Sequence, residues 1–397
     1  MSPSPARPPT KRTIRAVPSH PATAAPPSDV TGDTGWASFA GRTATGAVEC
    51  IDVLAEPERL ETGTWFVVAD FEAGTGTRTG GRARAWRFAA LHDAAAQPPT
   101  TWHGPPSDTW TSSMDRAGYE AAVGRVREHV RDGDVYQANV CRVLSAPLTG
   151  SPGTEPDARA LATRLAVGNP APHAAAVHVP AATGLDPVWV VSASPELYLS
   201  VRDAPDGAGR VVESGPIKGT ARTSDGLTDK DRAENVMITD LVRNDLQTVC
   251  RPGTVTVTSL LEVEEHPGLV HLVSRVRGTL SDDVARSGEL WRHLLAGTFP
   301  PGSVSGAPKS SALRIIGELE PVPRGPYCGA VGWVADGEAS LAVGIRTFWW
   351  ADGLLRFGTG AGITWGSDPA AEWRETELKA ERLVALASTG TEPATGR

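Results

Sequence analysis

Long apolar runs are missing from these 397 residues, and no stretch approaches the ~20 residues that a membrane-spanning helix needs. Basic excess is missing too: 38 Lys plus Arg stand against 46 Asp plus Glu, a net charge of −8, which argues against a nucleic-acid partner. Cysteine is scarce. Cys50, Cys141, Cys250 and Cys328 lie far apart, with no Cys-x-x-Cys pair and no His at zinc spacing, so a reducing cytoplasm suits the chain and each reads as a small core or strand residue. The N-terminus lacks the apolar h-region of a secretory signal, and no internal repeat is visible.

Residues 1–30 are rich in Pro, Ala and Ser, carry no acidic residue before Asp29, and read as a disordered tail. From 31 to 110, short β-type runs such as 64–71 alternate with glycine-rich turns such as 74–81, and Pro-rich segments at 97–100 and 104–107 read as a linker. Tyr119, Ala122, Val126 and Val130 recur at helical spacing until Gly133, and the strand that follows turns Gln137 and Asn139 the same way. A strand pair over 188–201 is broken by Ser194-Pro195, which places Glu196 at a bend.

Thr228 caps a helix through Asp245 that carries Asp231 and Glu234 on one face. Strands at 254–263 and 269–279, a short helix at 288–295 and a loop from Phe299 that opens a helix at Lys309 come next. A meander is expected over 328–357, with Asp336-Gly337 and Asp352-Gly353 as hairpin turns. The last helix starts at Asp368-Pro369 and bears Glu372, Glu375, Lys379 and Arg382 along a stripe that, taken alone, reads as an exposed salt-bridged face.

The stretch 212–222 puts Lys218 between Ile217 and Gly219, after Pro216, so its amine has no side chain on the C-terminal side to block approach. Such a lysine can be a nucleophile, although an isolated loop lysine more often keeps its head in water.

Nine motifs in order carry a resemblance: Tyr136-Gln137, Ser194-Pro-Glu196, Pro216-Ile-Lys218-Gly-Thr220, Asp231-x-x-Glu234, His271-Leu-Val-Ser274, Gly302-Ser-Val-Ser-Gly-Ala-Pro-Lys309, Gly344-Ile-Arg346, Gly360-Ala361-Gly362 and Glu372-x-x-Glu375. Together they resemble the chorismate-utilising enzymes over about 113–387. The resemblance implies an α+β fold, a large two-sheet antiparallel sandwich with helices outside and the active site between the sheets. Residues 31–110 would then complete the sandwich, and 111–390 would form the chorismate-binding catalytic domain.

Four carboxylates, Asp231, Glu234, Glu372 and Glu375, brought to a substrate that carries two more would repel without a hard divalent cation, and oxygen donors suit Mg2+. The resemblance implies Glu234 and Glu375 as its ligands, with Asp231 and Glu372 behind them. It also implies that Tyr327 and Arg346 hold the enolpyruvyl carboxylate. Lys379 and the backbone of Gly219 and Thr220 would hold the ring carboxylate, with main chain at Gly360, Ala361 and Gly362, His271 near the ring, and Ser305 where the family commonly has Thr.

Gln137 stands where isochorismate and salicylate synthases have a lysine that activates water, which leaves ammonia-using chemistry. The Pro-Ile-Lys-Gly-Thr form resembles aminodeoxychorismate synthase component I, making 4-amino-4-deoxychorismate for p-aminobenzoate and folate. Anthranilate synthase component I and a non-catalytic chorismate-binding protein are the alternatives. Lys218 would be the nucleophile and Glu196 its acid–base partner. No cysteine lies in a nucleophile elbow with a downstream His-x-Glu, so ammonia is expected from a separate glutamine amidotransferase subunit. The tryptophan-binding Leu-Leu-Glu-Ser element of anthranilate synthases is replaced by 48–53, Val-Glu-Cys-Ile-Asp-Val, so tryptophan feedback is not expected.

Overall fold

The computed structural model describes residues 34–74, 80–93, 101–149, 155–205, 207, 209–266 and 269–389. The expected tail, most of the glycine-rich turn at 74–81, the 97–100 segment and the turn at Pro267 lie outside the described residues. The chain runs β1 (Trp36–Phe39), β2 (Arg42–Asp52), β3 (Thr64–Ala69), β4 (Ala83–Asp93), β5 (Thr111–Ser112), α1 (Arg116–Asp132), β6 (Gln137–Pro147), α2 (Ala158–Gly168), β7 (His173–Val179) and β8 (Val188–Ser194). Then come β9 (Leu197–Asp203), β10 (Arg210–Gly215), β11 (Ile217–Ala221), α3 (Asp229–Gln247), β12 (Thr256–His266), β13 (Leu269–Thr279), α4 (Asp282–Ala285), α5 (Leu290–Thr298) and β14 (Gly306–Ala307). The last elements are α6 (Lys309–Leu319), β15 (Ala330–Ala335), β16 (Glu338–Val343), β17 (Thr347–Ala351), β18 (Leu354–Ile363) and α7 (Pro369–Ala387).

Among the described residues every pairing between strands is antiparallel, and the α+β architecture is the one expected. One layer runs β6, β18, β17, β8, β7, β1. The other runs β4, β3, β15, β16, β9, β10, β13, β12. The layers are hydrogen-bonded into one continuous sheet through β2, which pairs with β1 on one edge and β4 on the other.

The helix ends follow their local chemistry. Asp115 accepts from Gly118 N at the start of α1, and Gly133 closes that helix at φ 85, a left-handed conformation that favours glycine. Asp368 caps α7 with Pro369 at the first position. Alternation along each strand then sorts side chains into two sets. Val188 and Val190 of β8 join the core between the layers, while Trp189, Val191 and Ala193 pack outward with α2 and α7 residues such as Leu161 and Leu383.

The expected meander over 328–357 is replaced by two hairpins in different layers. Asp336 and Gly337 (φ 45 and 89) close β15 onto β16, and Asp352 and Gly353 (φ 54 and 73) close β17 onto β18, both turns as expected. However, β16 pairs with β9 and β17 with β8, so the chain changes layer between them at Gly344-Ile345-Arg346. The earlier pair, β8 and β9, changes layer at Ser194-Pro195-Glu196. The two crossings lie side by side: Glu196 O accepts from Val343 N at 3.0 Å, and Arg346 O accepts from Ala193 N at 3.0 Å.

Candidate active site

The paired crossings bring Glu196 and Arg346 together although they are 150 residues apart in sequence. Arg346 is held at φ 52, a backbone conformation costly for a residue with a side chain, and its guanidinium acts electrostatically on Glu196. Glu196 is 3% exposed and hydrogen-bonded by Ser303 and the Ile217 backbone. Burial pushes its carboxyl up to about 7, against the pull of Ser303, Lys218, the Ile217 backbone and Arg346.

Lys218 enters from β11, partly buried. Burial lowers its ammonium below the usual range, Lys379 adds to that, and Glu234, Glu196 and Glu375 oppose it. The lysine and Glu196 are thus displaced toward each other, the lysine down and the acid up, as an acid–base pair requires. Gly219 follows at φ 86, and a Cβ there would lie 2.8 Å from the Cβ of Asp231, so β11 is seated directly on the first turn of α3.

That contact goes with a correction. Asp231, expected behind the metal ligands, is engaged at the end of its own helix: its Oδ2 accepts from Thr228 N at 2.8 Å and Thr228 Oγ1 at 2.7 Å, completing a capping box. Glu372 departs from the exposed-stripe reading, being 2% exposed and paired with Lys230 Nζ at 3.2 Å. Lys230 also stands 3.6 Å from Glu234 Oε1, an atom that is buried and accepts no hydrogen bond. Burial raises Glu234, with Glu375 and Glu372 adding to it against Lys218 and Lys230. Burial would raise Glu375 as well, but Lys379, Lys230 and Lys218 hold it below the ordinary carboxylate range.

Among the described residues no three His, Cys, Asp or Glu side chains stand close enough to hold a metal ion together. The oxygen donors of Glu234 and Glu375, one with a buried oxygen that accepts no hydrogen bond, fit a hard divalent ion whose remaining ligands are water or substrate.

Beside these carboxylates lies the open end of β18. The two-residue turn makes Ala351 and Leu354 a hydrogen-bonded pair, so even-numbered residues of β18 direct their main-chain groups toward β17 and odd-numbered ones toward β6. β17 begins at Thr347, so Gly360 and Gly362 offer main chain beyond its end, and Gly360 O accepts from Lys379 Nζ at 3.1 Å. Ala361 has the other parity: its side chain packs outward among Tyr119, Ala312 and Trp373, away from the cleft.

Three inward glycines of β18 are covered by borrowed side chains. A Cβ at Gly358 would sit 2.0 Å from the Tyr327 ring, one at Gly360 2.5 Å from Cys141 Sγ, and one at Gly362 2.2 Å from Gln137 Nε2. Gln137 is fully buried, its Nε2 3.4 Å from Asn139 Oδ1, and its Oε1 has no hydrogen-bond partner. Tyr327 is 6% exposed.

His271 is fully buried on β13 opposite Thr220, whose side chain lies outside the described set. Ser305 does not reach the cleft; its hydroxyl has acceptors in its own loop, Pro301 O at 3.1 Å and Gly302 O at 3.4 Å. Ser303, two residues earlier, is the serine that meets Glu196. Sequence reading missed Ser303, Cys141 and Lys230. The signal for Lys230 was scarcity: the chain has five lysines, and Lys218, Lys230 and Lys379 gather here.

The chorismate binding enzyme family matches residues 29–385. Anthranilate synthase component 1 of Streptomyces coelicolor is 40% identical over 304 residues, 73% of this chain and 54% of that protein. An aminodeoxychorismate synthase of Streptomyces pristinaespiralis is 39% identical over 280 residues, 67% of this chain and 36% of that protein. The chain therefore spans about half or less of the length of these two relatives. The crystal structure of anthranilate synthase component I from Streptococcus pneumoniae shares the fold, with a TM-score of 0.68 at 23% identity, covering 89% of this chain and 90% of that one. From the extent of the family match and the identity to these relatives, the chain belongs to the chorismate binding enzymes, in the group that holds the anthranilate and aminodeoxychorismate synthases.

Proposed function

We propose that this chain is an aminodeoxychorismate synthase component I, replacing the C4 hydroxyl of chorismate with ammonia to give 4-amino-4-deoxychorismate. The observation that carries the reading is the Lys218 amine, partly buried beside Glu196, with Gln137 rather than a second lysine over Gly362. An ordinary lysine near pKa 10.4 costs about 4.6 kcal/mol to deprotonate at pH 7, and burial reduces that cost here.

The neutral Lys218 amine adds to ring C2 as the double bond shifts and the C4–O bond breaks, and the hydroxyl leaves as water with the Glu196 proton. The Glu196 carboxylate then takes the proton shed by the new secondary amine. Ammonia adds to C4 as the double bond shifts back and the C2–N bond breaks; Glu196 returns its proton so that Lys218 departs as its neutral amine, and then takes the surplus proton from the C4 ammonium. Tyr327 and Arg346 orient the enolpyruvyl carboxylate; Lys379, the backbone of Gly219 and Thr220, and the main chain of Gly360 and Gly362 orient the ring carboxylate. Glu234 and Glu375 would hold magnesium, which when bound supplies positive charge against that carboxylate. A glutamine amidotransferase partner would deliver the ammonia.

Incubation with chorismate, ammonia and magnesium tests the reading: 4-amino-4-deoxychorismate is expected, and anthranilate formed without any added lyase would overturn it in favour of anthranilate synthase. Lys218→Ala should lose aminodeoxychorismate formation by at least a hundredfold. Near wild-type turnover in that variant would remove the covalent step.

A further inference from the structure

We infer that Cys141 and Cys328 form an oxidisable thiol pair buried beneath the β18 wall of the cleft, and that peroxide joins them in a disulfide that disables the site. The inference of disablement rests on the proposed role of Tyr327; the crosslink itself does not. Cys141, on β6, lies over Gly360, between Gln137 over Gly362 and Tyr327 over Gly358. Its sulfur is 3.9 Å from the Tyr327 hydroxyl, and its side chain hydrogen-bonds that of Cys328, the residue after Tyr327. Both thiols are free and buried. Cys50 and Cys250 have no cysteine partner of this kind.

The surroundings favour reaction at Cys328. Arg324, 1% exposed, is clamped by Glu320 at 2.6 and 2.8 Å and by Val304 O and Asn139 O, and its charge acts on both thiols. Burial would hold the Cys328 proton, but the Cys141 thiol, the Arg324 charge and the Tyr327 hydroxyl outweigh it and move Cys328 below the usual thiol range, against Glu320. Cys141 is moved upward by burial and by its neighbour, so it keeps its proton as donor. Cys328 therefore gives up its proton more readily than an ordinary thiol and stands beside a second thiol, the arrangement of an attacking and a resolving cysteine.

The chemistry balances with hydrogen peroxide as oxidant. The Cys328 thiolate attacks one peroxide oxygen, the O–O bond breaks, and the departing hydroxide takes up the proton Cys328 had released, leaving a sulfenic acid and water. Cys141 then attacks that sulfur, the S–O bond breaks, and hydroxide leaves with the Cys141 proton as a second water. To reach a bond of about 2.05 Å the Cys141 sulfur must leave its place over Gly360, and Tyr327, adjacent to Cys328, must leave the face of Gly358. A small dithiol reverses the bond.

The test treats the full chain with hydrogen peroxide, alkylates remaining thiols and maps peptides without reduction. One crosslink between the Cys141 and Cys328 peptides is expected, reversed by dithiothreitol and slowed by saturating chorismate. A tenfold or greater loss in kcat/KM should accompany it and recover on reduction. A Cys50→Ser, Cys250→Ser double variant should behave the same way, whereas Cys328→Ser and Cys141→Ser, each checked for folding by circular dichroism, should form no crosslink. Peroxide that oxidises other thiols while both peptides stay alkylated would overturn the inference, as would a complete crosslink with unchanged kcat/KM. If the reduced protein turned over no chorismate at all, the functional reading would fail while the crosslink result still stood.

Discussion

Glu196→Gln isolates the cost of holding an acid at the layer crossing. In the folded chain Glu196 keeps its proton up to about pH 7, whereas the unfolded chain releases it near the ordinary 4.5. Between those values the folded state binds the extra proton, so this residue's stabilising share is complete below 4.5 and is lost as pH rises through 7. The gap corresponds to about 3 kcal/mol. Glutamine has nearly the same shape, can still bond Ser303, and never ionises. Urea unfolding of both proteins across pH 5 to 8 is the assay, and subtracting one curve from the other cancels every other titrating group. The two should lie within about 1 kcal/mol of their common offset at pH 5, with the variant gaining about 3 kcal/mol on wild type by pH 8. Turnover in the wild type should fall above pH 7 as the acid form disappears. A difference that stays flat across that window would mean that Glu196 ionises as an ordinary carboxylate despite its burial at the crossing.

Gly358→Ala places a methyl 2.0 to 2.6 Å from the Tyr327 ring, so the ring must move; a loss of about 1–3 kcal/mol and a raised chorismate KM are expected from unfolding and steady-state kinetics. An unchanged KM would remove Tyr327 from substrate binding. Glu320→Gln leaves the Arg324 charge buried with a weaker partner, and urea unfolding should show a loss of up to about 3–5 kcal/mol; less than 1 kcal/mol would show that Val304 O and Asn139 O suffice.

Local chemistry was legible wherever it was decided locally. The Asp-Gly turns, the Thr228 and Asp368 caps and the Gly133 stop sit where the sequence places them. Partners were not legible. Nothing in 328–357 says that β16 and β17 pair with β9 and β8 instead of each other, because that choice is made by strands about 140 to 160 residues away. The same blindness touches Glu372: its helical stripe, taken alone, resembles a solvent face, and only the resemblance placed it behind Glu234 and Glu375, where Lys230 arrives from α3. Ser305 and Ser303 differ only in which way a short loop turns, and a motif does not record that. Asp231 is different: Thr228-x-x-Asp is a capping pattern visible in the sequence, and the expectation of a ligand obscured it.

Because β18 lends only main chain to the cleft, the contour of that wall is written on other segments, at 137, 141 and 327. One codon change at any of them recuts the wall while the ladder between β18 and β6 keeps every bond. Divergence in what the cleft accepts therefore needs no compensating change in the sheet, and the strand itself, having no rotamers to freeze, adds no ordering cost when a ligand settles on it.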